Sequence, residues 1–246
     1  MFKVSRTLAA AGAAALCLCL AEVVAVADTA NATSRDLLLD PALRIGQTFR
    51  WTNKLYENGS LLLLQIRCDV ASQSSAGSVM RVSASLNRST FQAMPQYGFT
   101  LHEGVSYGPN SAPLQGDSEC FFYSVSKFGM PPESLKVGST WTFSYPADYH
   151  STLAPNAKGT TTVTELDPSA KTITLKVTYA GSGTVTHGAQ QSYRESHGTL
   201  VVKIANGGVI TDQTIQNMST VDKLGGTNIS TNTTGGVTLD KSSGSP

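Results

Sequence analysis

Apolar and polar residues alternate with a period of two along most of this chain, and the 3.6-residue period of an amphipathic helix is nearly absent. Met80, Val82, Ala84 and Leu86 alternate with Arg81, Ser83, Ser85 and Asn87; Ile173, Leu175, Val177 and Tyr179 alternate with Thr172, Thr174, Lys176 and Thr178. Successive side chains of a strand point to opposite faces, so each run predicts a strand with one buried and one polar face. In the run from Leu61 to Val70, Leu61 and Leu63 fall on the face opposite Leu62 and Leu64, which predicts cover on both sides there. Phe99, Leu101, Val105 and Tyr107 follow, with Glu103 as an interruption of the apolar face. The one helix signal covers residues 37–43.

Turn chemistry divides the strands. Asn58-Gly59 is the strongest hairpin signal, because both central residues of a type I′ turn need positive φ. Asn206-Gly207-Gly208 predicts a second hairpin, Asp167–Lys171 a third, and "YAGSG" at 179–183 a further turn between strands. From residue 224 to 246 the chain is Gly, Ser, Thr and Asn with little to bury, which predicts a frayed polar tail offering at most an edge strand.

One pattern occurs twice. "LRIGQTFRW" (43–51) and "LKVGSTWTF" (135–143) share Leu, a base, a β-branched apolar residue, Gly, a polar residue, Thr and alternating aromatics. A duplication with units 43–134 and 135–223 is one reading; convergence on generic strand chemistry is the other. Both give the stretches an architectural role, with Gly at a sharp entry and aromatics on a core face. The expected fold is all-β, an antiparallel sandwich or curved half-barrel sheet over residues 28–223, with two tandem related β units as a variant.

Composition adds a compartment. Lys3 and Arg6, the apolar run Leu8–Leu20 and the small residues Ala25 and Ala27 have the order of a cleaved signal peptide, residues 1–27. The run is shorter than the roughly 20 residues a spanning helix needs, so the chain is not expected to be an integral membrane protein, and the compartment is periplasmic or secreted. Removing the signal leaves Cys68 and Cys120 as an even pair, expected to form a disulfide in an oxidising environment. It also removes Lys3, Arg6 and Glu22, so bases and acids balance and no stripe for nucleic acid remains.

Candidate chemistry is sparse. No nucleophile elbow, P-loop, dinucleotide fingerprint or close cysteine spacing occurs, and neither a cofactor nor a metal is implied. His187 and His197 flank "GAQQSYRES" and would approach each other, with Glu195, if the two arms pair; strand-end histidines are the plainer reading. Asp148, Tyr149 and His150 lie in a Pro-flanked loop, the place where an exposed aromatic meets a partner. The expected function is that of an exported, non-enzymatic β protein binding a hydrophobic small molecule or a cell-envelope protein. A carbohydrate-binding or surface-assembly module using Trp51, Trp141, Tyr145 and Tyr149 is an alternative, and a hydrolase with a site assembled from distant residues is another.

Overall fold

The structure, a computed structural model, describes residues 33–86, 90–94, 98–108, 120–144, 156–187 and 190–243. Residues 1–27, read as a signal segment, lie outside these. The first meander comprises β2 (Thr48–Glu57), β3 (Ser60–Ser74), β4 (Gly77–Leu86), the two-residue β5 (Gln92–Ala93), β6 (Phe99–His102) and β7 (Val105–Tyr107). The second comprises β9 (Thr140–Ser144), β10 (Lys158–Asp167), β11 (Thr172–His187), β12 (Gln190–Ala205), β13 (Val209–Leu224) and β14 (Thr227–Ser243). Short elements complete it: β1 (Thr33–Ser34) paired with β8 (Ser134–Leu135), and the one-turn helices α1 (Asp36–Leu39) and α2 (Val125–Phe128).

All pairings are antiparallel, and one sheet of twelve strands runs β7-β6-β4-β3-β2-β14-β13-β12-β11-β10-β9, with β5 also on β4. The sheet is open: its end strands β7 and β9 do not pair with each other. The two meanders meet at β14, which pairs with β13 on one side and β2 on the other. The polar segment after residue 224 is therefore a central strand, contrary to the frayed tail expected. Backbone hydrogen bonds hold it, and these need no apolar side chain. Its alternate residues Thr233 and Val237 are buried on the core face, and Gly235, at φ 126°, lets the Lys54 carbonyl approach where a Cβ would collide.

The expected alternation fixes the core face. Ile173, Leu175, Val177 and Tyr179 pack with Val202, Ile204, Ile210, Trp141 and Phe143 on the β9–β13 side. Phe49, Trp51, Ile66, Cys68, Met80, Val82, Phe99 and Leu101 form the other cluster. The segment from Cys120 to Leu135 lies between them: Phe121 packs against both clusters, Phe122 and Cys120 join the second, and Tyr123, Phe128 and Leu135 the first. This segment is stitched to the β12–β13 hairpin, where Tyr123 N–H donates to the Gly208 carbonyl (2.7 Å) and Ile210 N–H to that of Phe121 (3.0 Å). Cys68 and Cys120 stand at disulfide-bonding distance, their Cα atoms 6.2 Å apart.

The repeated nine residues build the same turn twice. Gly46 and Gly138 have φ of 82° and 88°. Each donates its N–H to a valine carbonyl, Val70 and Val163 respectively, whose own N–H returns to Gln47 and Ser139. The aromatics that follow are buried, and both indole N–H groups end on a backbone carbonyl: Trp51 on Ile210 (2.7 Å) and Trp141 on Phe128 (2.8 Å).

Three further expectations change. Glu103 is the first residue of a two-residue turn with Gly104, φ 47° and 71°, between His102 and Val105, which pair. The turn puts Phe99 and Leu101 on the core face and Val105 and Tyr107 on the other. "YAGSG" is not a turn: β11 runs through it, and its Gly181 makes space, since a Cβ there would overlap Ala157; on β12, Gly198 likewise makes room for the Tyr179 hydroxyl. Leu61 is 55% exposed across from Tyr56: β4 pairs with β3 only as far as Leu64, and among the described residues no strand flanks the β3 side of the hairpin tip beyond it.

Candidate functional site

The side of the sheet away from the core carries a cleft, at the edge made by β4, β5, β6 and β7. Two strands share the outer edge of β4: β6 pairs with Ser78–Met80 and β5 with Ser83 and Ala84. Arg81 and Val82 fall between, and the cleft opens there. Strand parity sets its floor, because Met80, Val82, Phe99 and Leu101 are drawn inward and their neighbours Val79, Arg81, Thr100 and His102 must face out. Val79, Thr100 and Tyr107 form one rung across three strands.

The cleft has a volume of about 680 Å³, within the range of roughly 300–1,000 Å³ that holds a small organic molecule. The outward-facing Val79, with Ala76 and Ala93, supplies apolar wall, and Arg81, Thr100, His102 and Tyr107 supply the polar groups; Met80, Val82 and Phe99 also line it but are buried core residues. Val79, 38% exposed, is among the large apolar side chains open to solvent. His102 Nε2 lies 4.0 Å from Glu103 Oε1, with both side chains substantially exposed.

The residues singled out from sequence fare differently. Asp148, Tyr149 and His150 lie outside the described residues, as does Tyr145. His187 and His197 do sit on paired strands, but they do not meet: His187 faces Gln190, where the β11–β12 hairpin closes, whereas His197 faces Ala180. Seven rungs separate them, about 23 Å at strand rise. His197 is exposed, and Glu195 forms an ion pair with Lys223 (2.5 Å) from the next strand. Trp51 and Trp141 are 0% and 8% exposed, core residues with no platform to offer a sugar. Among the described residues no group of three or more His, Cys, Asp or Glu side chains gathers as a metal ion would require, and no helix is long and apolar enough to cross a membrane.

No protein-family model, curated protein or solved structure matches the chain. The cleft therefore has to be read from its own chemistry. Sequence reasoning missed it because its floor consists of the residues assigned to the polar face, and Val79, the single large apolar one among them on β4, stands outside the alternating run that begins at Met80.

Proposed function

We propose that this protein binds a small, largely apolar molecule in the β4–β7 cleft, as an exported, non-catalytic binding protein. The observation that carries the reading is a cleft of about 680 Å³ with chiefly apolar walls on the outer face of a sheet whose own core is filled from the other side. Val79, 38% exposed, is the large apolar side chain left open to solvent in its lining, at a cost that ligand binding offsets. The signal-like N-terminus and a cysteine pair at bonding distance support an oxidising, extracytoplasmic setting.

The test uses Nile red, a neutral apolar dye that brightens on leaving water. Saturable one-to-one binding is expected, and Val79→Glu should weaken it at least tenfold without lowering the unfolding temperature, since Val79 already touches solvent. No saturable binding by the native protein, or binding indifferent to Val79→Glu, would overturn the proposal.

A further inference from the structure

Arg81 is the one cationic side chain of permanent charge lining the cleft among the described residues, and it makes no ion pair or hydrogen bond. The acid directly across from it on β3, Asp69, is engaged elsewhere: its Oδ1 accepts from Arg67 Nε (3.0 Å) and Thr48 Oγ1 (2.5 Å). An unpaired guanidinium at the end of an apolar cleft can receive an anion, because its planar fork of donors matches the two oxygens of a carboxylate.

The register orders the cleft from end to end. Arg81, with Ala93 and Gly98, marks one end; the Val79–Thr100–Tyr107 rung is the middle; His102 and Ala76 mark the other. The four residues from Arg81 to Gly77, which stands beside His102, span about 13 Å at strand rise. Resting on the binding role proposed above, we infer that the ligand is a single-chain anionic amphiphile, a fatty carboxylate. Its carboxylate sits on Arg81 and its alkyl chain lies along Val79 towards the His102 end. The charge of Arg81 supplies orientation and headgroup selectivity, and the apolar wall supplies the remainder of the affinity.

The experiment compares dodecanoate, dodecanol and dodecyl phosphate as submicellar competitors of Nile red, on the native protein and on Arg81→Gln. Dodecanoate should displace the dye at least tenfold more tightly than dodecanol from the native protein. Arg81→Gln should erase that preference, read as the ratio of dodecanoate to dodecanol affinity within each protein. Equal competition by dodecanoate and dodecanol on the native protein, or a preference that survives Arg81→Gln, overturns the headgroup assignment while Nile red binding leaves the apolar cleft standing. Tighter binding of dodecyl phosphate than of dodecanoate, lost in Arg81→Gln, overturns the carboxylate in favour of a phosphate headgroup. Absence of Nile red binding overturns the cleft reading and this inference together.

Discussion

At the scale of single residues the structure turns on aromatic side chains whose polar ends are satisfied by backbone carbonyls. Trp51 stacks on Phe49 and meets Phe121 and Phe122 edge-on while its indole N–H reaches Ile210. Tyr123 is the sharpest case. Its hydroxyl donates to the Gly129 carbonyl (2.6 Å) in the core, and burial pushes its ionisation far above the ordinary value near 10, with the polar Trp141 side chain a smaller, opposing influence. The folded state keeps the proton while the unfolded chain releases it, so the contribution to stability is complete below about pH 10 and falls above it. The loss is about 1.4 kcal/mol per pH unit. Urea unfolding of the native protein and Tyr123→Phe between pH 8 and 11 measures this. The variant should be about 1–2 kcal/mol weaker at pH 8, from the lost hydrogen bond, and flatter above pH 10. Parallel alkaline limbs would show that Tyr123 ionises freely. That the two tryptophans are core residues was legible from their alternation; what Tyr123 does was not, because its partner is the backbone of a turn six residues away, which no side-chain pattern records.

At the scale of elements, strands and tight turns were readable wherever a side chain was under local constraint. Asn58-Gly59 has the positive φ values its turn demands, 48° and 84°, and Asn58 also clasps β14 through Asn232 N–H (2.9 Å). Asn206-Gly207-Gly208 makes another expected hairpin, and its glycines admit the backbone of Leu38–Pro41 pressed against them. Polar β14 escaped the pattern because its place is set by the two neighbours that hydrogen-bond to it, and by small side chains that let them come close. A chain ending at Leu224 would leave β2 and β13 without their shared partner and divide the sheet into its two meanders. We expect that truncation to lose cooperative thermal unfolding and to aggregate, as two long exposed edges invite. A truncated protein with the parent's unfolding temperature and solubility would return residues 227–243 to the status of a dispensable tail. The cleft belongs to this scale too: it arises where β5 and β6 divide one edge of β4, a fact of register that composition does not encode.

At the scale of the whole molecule, one open sheet of this size has two apolar regions and needs something to join them. The segment from Cys120 to Leu135 does so, with Phe121 in contact with both clusters and the short pairing to the β12–β13 hairpin as its backbone anchor. Cys68 lies in the middle of β3, and Cys120 at the start of the crossing segment, so their link fastens that segment to the sheet. The cysteines are 52 residues apart, and closing a loop of that length in the unfolded chain is worth about 4 kcal/mol on a chain-entropy basis. The double variant Cys68→Ala/Cys120→Ala should therefore lose stability of that order in urea and should unfold identically with and without reductant, whereas the parent should weaken only when reduced. Two alanines also remove buried sulfur, which by itself costs stability under either condition; the reductant dependence of the parent is the readout that isolates the covalent link. Should the parent unfold at the same urea concentration with and without reductant, the segment would be held by packing alone. The aromatic cluster around Phe121 and Phe122 would then carry the full task of keeping the two halves of the sheet together.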